Sequence, residues 1–460
     1  MVDIKTYQDF LEVRDKEREK MLFVFDAIKE HQQSDEYREA VKNEKYYRGE
    51  NPTIMEYEHV FYNVYGQKKV NHFKPNHKIA SNFFNFAVTQ EIQYLLGNGV
   101  TFTDKNTKEK LDPDFDKKAK DLARKACVQK VSFGFYNHGT VEVMGLSEFR
   151  PLYDEEDGSL RAGVRFWQID TDKPLRAVLY EEDGYTQYIH RPGEDPVVLQ
   201  EKKTYTEKTV VSEINGEKIY DGENYESFPI VPMWANDRKE SELHGRQGQL
   251  DAYDLLKSNL VNNVDQGNFI YWLVKNAGGM DDEDLEQLVE RIKLTGVVPV
   301  QGENGATVDS RTVEIPYQAS KEAIAEIKAS LYEDFMCFNV ELISSGSKTA
   351  TEIEASYQNL EMKASELEYC VIDFINKILK LAKIDDKPSF TRSKIANTQQ
   401  ELDMVLASAE YLDNETITTK ICNILGMGDQ AEEILKRVQA EEINRTEPIE
   451  DPENGGALQQ

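Results

Sequence analysis

Leu342-Ile-Ser-Ser-Gly-Ser-Lys-Thr-Ala-Thr-Glu352 is a small, polar stretch, interrupted by Gly346, between two long helical patterns. Before it, Ala319 to Glu341 carries apolar residues at helical spacing. After it, residues 351–384 contain neither Gly nor Pro, which at ~1.5 Å rise per residue is a rod of roughly 50 Å. A flexible loop on two rods, with Lys348 at its tip, is a way to present a mobile contact. Ser345-Gly-Ser-Lys348-Thr349 has a loose likeness to a phosphate-binding loop. That motif needs bare backbone amides from a Gly directly before the Lys and another five residues earlier. Ser347 and Leu342 hold those positions, so a nucleotide cradle is excluded. Thr349 and Glu352 have the spacing of a capping box that opens the following helix.

Working outward on the N-terminal side, Gln247 to Val274 reads as one helix, with Leu250, Tyr253, Asp254, Lys257, Leu260, Val261 and Val264 at three- and four-residue steps. Gly278-Gly279 ends it. Asp282 to Thr295 reads as a short amphipathic helix with Leu285, Leu288, Val289 and Ile292 on one face. Val297–Gln301 and Arg311–Pro316 read as two small strands around Gly302-Glu-Asn-Gly305. A small α/β insert therefore sits between two long helices.

The rest of the chain falls into blocks. Residues 1–50 are helical and highly charged, and Tyr46-Tyr-Arg-Gly-Glu-Asn-Pro52 closes them with turn chemistry. Asn76 to Leu96 predicts a helix with Ile79, Phe83, Phe86, Ile92 and Leu95 inward and Gly97 as its C-cap. Asn98-Gly99 then turns into a strand at Val100-Thr-Phe-Thr103, and Leu111 to Val131 predicts a further helix. From Phe133 to Pro232 the pattern changes to short strands, at 139–144, 162–169, 175–180, 186–190 and 208–214. Asp157-Gly158, Asp183-Gly184 and Asn215-Gly216 punctuate them as hairpin turns. Asn397 to Met427 and Asp429 to Asn444 form a smaller helical unit, and residues 446–460 have the composition of a disordered tail. The fold class is α+β, predominantly helical.

Composition narrows the function. The 460 residues allow two to four domains. No apolar run approaches the ~18 residues of a membrane span, and the N-terminus lacks the pattern of a signal peptide. Four widely spaced cysteines, Cys127, Cys337, Cys370 and Cys422, argue against a zinc site or a disulfide framework. The seven histidines show no metal-ligand spacing and read as surface or structural residues. Acidic pairs such as Glu155-Glu156 and Asp281-Asp282 read as turn or cap residues in so acidic a chain. No motif speaks for an enzyme and none implies a cofactor. The formal net charge of −29 argues against tight nucleic-acid binding, which needs basic patches. It does not argue against letting nucleic acid slide past.

The order of these blocks resembles the portal proteins of long-tailed, double-stranded-DNA bacteriophages over nearly the whole chain. Asn76-x-Lys-Ile79, Asn82 and Leu95-Leu-Gly97 with Val100-Thr-Phe102 resemble the family's N-terminal wing segment. Phe228-Pro-Ile-Val-Pro232, Asn236, Leu250-Asp-Ala-Tyr-Asp254 and Ser258-Asn259 are similar to the start of its first stem helix. Phe390-Thr-Arg392, Asn397, Glu401 and Asp413-Asn-Glu-Thr416 resemble its crown. The loop around Lys348 matches in position and polarity more than in letters. The resemblance implies an α/β wing at 1–240, stem helices at 241–275 and 319–342, a small α/β clip at 276–318, a tunnel loop at 343–350, a long wing helix at 351–384 and a helical crown at 385–445.

It also implies a homo-oligomeric ring, usually of about twelve subunits, at one capsid vertex of the virion, assembled in the host cytoplasm. Double-stranded DNA would pass through it. The ring would dock the terminase large subunit, a head-completion or adaptor protein, and the major capsid and scaffold proteins, with no membrane partner. Ser344, Ser345, Ser347, Lys348 and Thr349 are then expected to touch the DNA backbone without reading bases. Asp281, Asp282, Glu283 and Glu286 are expected to help dock a partner at the clip. The residues alone leave open a non-viral oligomeric scaffold, or a hydrolase with its site in the β-rich region.

Overall fold

The computed structural model describes residues 5–62, 65–70, 74–211, 218–267, 270–275, 283, 287, 307–312, 316–341, 350–393, 402, 405–408, 411–424, 431 and 433–438. The chain divides into two compact units, residues 1–392 and 393–460. The first opens with α1 (Tyr7–Val13), α2 (Glu17–Gln33), α3 (Asp35–Tyr47) and the single turn α4 (Pro52–Met55). Their ends are written locally. Thr6 and Asp9 form a capping box on α1, and Ser34 ends α2 while its hydroxyl caps α3 through Tyr37 N. A short hairpin, β1 (Val60–Tyr62) and β2 (Lys68–Val70), precedes α5 (Phe83–Leu96), β3 (Val100–Phe102), α6 (Thr107–Leu111) and α7 (Phe115–Gln129).

The β-rich region follows as β4 (Val131–Tyr136), β5 (Val141–Gly145), β6 (Phe149–Tyr153), β7 (Leu160–Trp167), β8 (Leu175–Glu181), β9 (Gly184–His190), β10 (Val197–Lys203), β11 (Thr206–Val211), β12 (Lys218–Glu223) and β13 (Ile230–Trp234). Strands β6 to β10 form an antiparallel meander in chain order, while β13, β4 and β5 form a second sheet with β4 in the middle. The two sheets make the centre of a layered body. On β8, Ala177 and Leu179 face α1 and α2, whereas Val178 and Tyr180 face the second sheet, where Phe133, Phe135 and Ile230 meet them. This is the period-two alternation of a strand buried on both faces.

The far face of the second sheet carries Tyr136, Val141, Val231 and Met233 into the largest core, shared with α5, α7 and the helices described next. Gly134 lies in β4, and a Cβ there would sit 2.4 Å from Phe374 Cζ. The missing side chain is what lets that ring reach the sheet.

The remaining elements of the first unit are α8 (Gln247–Gly267), β14 (Ile270–Lys275), β15 (Thr307–Thr312), α9 (Tyr317–Asp334), α10 (Ala350–Ser356), α11 (Gln358–Ala382) and β16 (Pro388–Phe390). Several elements differ from the sequence expectation. The helix expected over 247–274 stops at Gly267, and 270–275 pairs antiparallel with 307–312, Lys275 opposite Thr307. The run Ile-Tyr-Trp-Leu-Val is β-branched and aromatic, and a strand partner overrides its helical spacing. The rod expected over 351–384 is divided at Tyr357, whose ring is buried between neighbours. The helix expected from Asn76 begins at Phe83 instead.

Gly97 is the C-cap of α5 as expected, with a right-handed φ of −55, and the left-handed turn falls on Gly99 at φ +78. Strand β16 pairs with β3, so the chain through Arg392 belongs to the first unit. Helices α8 and α9 pack on each other. In the second unit α12 (Asn414–Ile424) is capped by Asp413, which accepts from Thr416 N at 3.1 Å.

Candidate functional site

The long helix α8 is rooted by a polar ladder. Asp254, Ser258 and Asn262 stand at four-residue steps, one above the next on a single face. Residues 77–81 run extended beside them. Asn262 Oδ1 accepts from His77 N at 2.6 Å, Ser258 Oγ from Ile79 N at 3.0 Å and Asp254 Oδ1 from Ser81 N at 3.0 Å. Four helical residues advance ~6.0 Å and two extended residues ~6.6 Å, so the two periods stay in step. This explains why 76–82 is not helical, because its amides are satisfied by α8 side chains instead of by its own carbonyls.

Asp254 Oδ2 also accepts from Asn51 Nδ2 at 2.9 Å. Burial pushes its carboxyl above the usual range, against the hydrogen bonds from Asn51 and Ser81. One turn earlier, Asp251 takes hydrogen bonds from Tyr46 Oη at 2.7 Å, Asn51 Nδ2 at 3.0 Å and Thr53 Oγ1 at 3.1 Å.

Beneath this root lies a buried charge cluster. Lys363 Nζ of α11 is 2.9 Å from Glu91 Oε2 of α5 and 2.9 Å from Glu242 Oε2, in the segment leading into α8. The side chains are 6%, 2% and 8% exposed. Arg246 Nη1 adds a contact to Glu242 Oε2 at 3.2 Å. Burial disfavours charge on Lys363, but the two carboxylates outweigh it and hold the amine protonated. For Glu242 burial acts upward, and Lys363 with Arg246 brings its carboxyl below the normal value. Glu91, desolvated and beside the Glu242 charge, goes the other way, up to about 7. One lysine thus ties together α5, the root of α8 and α11.

The two ends of the Lys348 segment are clamped to the same helix. Gln90 of α5 donates from Nε2 to Phe338 O at 2.9 Å and accepts from Phe338 N at 2.8 Å, as a neighbouring strand would. The Phe338 ring stacks on Tyr357 with centroids 4.0 Å apart and planes 8° off parallel, and Tyr357 stacks on Tyr94 of α5 at 5.7 Å. Tyr94 Oη donates to Glu361. Arg392 reaches Glu361 at 3.0 Å, Glu368 at 2.6 Å and the Tyr94 ring face at 5.8 Å. Phe338 and Tyr357 therefore bring the chain before and after residues 342–349 together at one point on α5.

Ser344, Ser345, Ser347, Lys348 and Thr349 lie outside the described residues, as do Asp281, Asp282 and Glu286; Glu283 is helical and exposed. Gln90, Glu91, Tyr94, Glu242 and Lys363 were not singled out from the sequence. A signal was present: Glu91 is the one charge in Phe83–Leu96, and Lys363 interrupts the apolar face made by Leu360, Ala364 and Leu367. A cation and an anion each set into an apolar stripe imply a buried pair. The partner assignment needs the fold. Among the described residues no group of three or more His, Cys, Asp or Glu side chains could hold a metal ion, and no helix is long and apolar enough to cross a membrane.

The two segments joined by the ladder, 76–82 and 250–262, include letters that carry the family resemblance, beside those at 95–102, 228–236 and 390–416. A sequence model of phage portal proteins of the SPP1 Gp6-like kind matches residues 26–444. The chain belongs to the phage portal protein family. The portal protein of Bacillus phage SPP1 is 24% identical over 357 residues, 71% of this chain and 66% of the relative. The chain thus spans just under two thirds of that relative's length. The portal protein of Clostridium phage phiCD119 is 23% identical over 376 residues, 74% of this chain and 80% of the relative. Among solved structures, the neck of an empty gene transfer agent particle and the virion of a native gene transfer agent each give a TM-score of 0.42 at 11% identity. They cover 74% of this chain and 90% and 89% of theirs. Portal family membership places the chain among structural proteins of the bacteriophage virion.

Proposed function

We propose that this portal-family chain assembles into a ring of about twelve subunits at one capsid vertex, the channel for packaging, retaining and ejecting double-stranded DNA. The observation that carries this reading is the family match over residues 26–444. The architecture supports it. Helices α8 and α9 act as the paired stem, and the β14–β15 pairing of Lys275 with Thr307 closes the neck of an insert, residues 276–306, suited to a clip. Residues 1–240 with 351–384 are the wing, and residues 385–445 form the crown. The ring docks the terminase large subunit and later a head-completion protein at the clip, where Asp281, Asp282, Glu283 and Glu286 offer an acidic face. Residues 343–350 form the tunnel loop, and Lys348 with Ser344, Ser345, Ser347 and Thr349 touches DNA phosphates. The clamp of Phe338 and Tyr357 on α5, on either side of these residues, supports that reading.

Mass measurement with negative-stain imaging of the purified chain tests the ring. Closed rings with a central pore are expected, and a compact closed particle without a pore refutes it. Lys348→Glu tests the loop separately, by loss of DNA packaged or retained per particle. Unchanged packaging and retention end the contact assignment without touching the ring.

A further inference from the structure

Residues 59–90 contain four lysines, three histidines and no Asp or Glu, in a chain with 84 acidic against 55 basic side chains. Without those four cations the remainder is four units more negative than the −29 of the whole. The hairpin β1–β2 sits at the start of this stretch, with Tyr62 opposite Lys68 and Val60 opposite Val70. Its surface is apolar and cationic together: Tyr62 is 68% exposed, Tyr65 84% and Val60 40%, and Lys68, Lys69 and Lys74 are exposed beside them. Among the described residues no carboxylate lies within ion-pair reach of Lys68, Lys69 or Lys74. Elsewhere cations crowd the acids, as where Arg14 and Lys202 both meet Glu181 and Asp183. Three-residue strands make a hairpin that is marginal by itself, so packing on its exposed face would contribute to holding it.

We infer that this hairpin docks on an acidic face of the next copy of the chain. Two arguments select that occupant. Charge complementarity is built into the sequence, because every acidic residue of the chain lies outside 59–90, and most of those in the structure are solvent-facing. Exposed Val and Tyr beside Lys also suit a protein surface, which buries the rings and pairs the cations. Duplex DNA offers phosphates to the lysines but keeps its base faces stacked and out of reach of the tyrosines. The inference also supplies what a strongly anionic subunit needs in order to self-associate, a local attraction within the ~8 Å range of screened charge. It rests on the ring reading above.

The test uses the full chain, wild type and Lys68→Glu/Lys69→Glu, with far-UV circular dichroism to check folding. Mass photometry across protein concentration and salt reads assembly. Carbodiimide cross-linking of mixed 15N-labelled and unlabelled wild type, read by mass spectrometry, separates links between copies from links within one. The expected result is assembly weakened at least tenfold in the variant, with Lys68, Lys69 or Lys74 of the wild type linked to carboxylates of another copy. If the variant misfolds, the wild-type cross-links decide alone. Wild-type-like assembly of a folded variant, or links only within a copy, overturns the inference and leaves the ring standing. A variant that assembles normally but no longer retains DNA assigns the hairpin to nucleic acid and also overturns it. A wild type that stays monomeric at every concentration and salt overturns the ring and this contact together.

Discussion

Replacing Lys363 by Met keeps the length and most of the apolar stem of the side chain but removes the amine that two buried carboxylates share. Glu91 is left with no cation within 3 Å, and Glu242 keeps only Arg246 at 3.2 Å. Stranding one partner of a buried ion pair costs about 3–5 kcal/mol. For a cooperative unit of roughly 390 residues, at about 2.1 cal/mol/K of unfolding entropy per residue, that is a fall of about 4–6 °C in melting temperature. Urea unfolding at pH 8 followed by tryptophan fluorescence, at fixed protein concentration, measures the loss.

Two signatures separate the charge mechanism from lost packing. The loss shrinks toward pH 5, because the stranded carboxyls take up protons in the folded state before they do in the unfolded chain. Adding Glu91→Gln and Glu242→Gln to Lys363→Met restores at least half of the stability. A single variant that loses less than about 1 kcal/mol at pH 8, the range of an exposed pair, refutes the reasoning, as does a loss that does not change with pH.

Glu91→Gln alone has a pH signature. Raised from 4.5 to about 7, the Glu91 carboxyl holds a proton that the unfolded chain releases, so its contribution is present below pH 4.5 and lost as pH rises toward 7. His31, buried with Nε2 2.8 Å from Leu146 O and lowered to about 4, acts oppositely, and its contribution is lost as pH falls from 6.5 to 4. Melting temperatures of Glu91→Gln from pH 4.5 to 7 should therefore fall more steeply toward acid than those of the wild type. Asp254→Ala removes the acceptor of Ser81 N and one of the two acceptors of Asn51 Nδ2; a cost of about 1–3 kcal/mol for the stranded Ser81 amide and at least tenfold faster amide exchange at Ser81 by hydrogen-exchange mass spectrometry are expected. Gly134→Ala drives a methyl into Phe374 and should cost about 1–3 kcal/mol, with Phe374→Leu recovering part of it in a double-mutant melt.

Local chemistry announced the helices, the hairpin turns at Asp157-Gly158 and Asp183-Gly184, and the switch to strands between α7 and α8, because each depends on neighbours a few residues away. The same letters misplaced 76–82 and 270–275. Both are segments whose backbone hydrogen bonds go to distant partners, α8 side chains in one case and residues 307–312 in the other. The family was legible because its order of segments is linear along the chain.

The anchor points were not. Lys363 lies 272 residues from Glu91 and 121 from Glu242 in sequence, and Phe338 lies 19 from Tyr357. A buried cation implies an anion beside it but not which of 84 acidic residues supplies it. The segment around Lys348 stands out in the sequence as a polar break between two helical patterns. That both its flanks are held by Gln90 and Tyr94 on α5 was decided by tertiary packing, because ring stacking and charge pairing depend on positions in space that the chain reaches only once its core has closed.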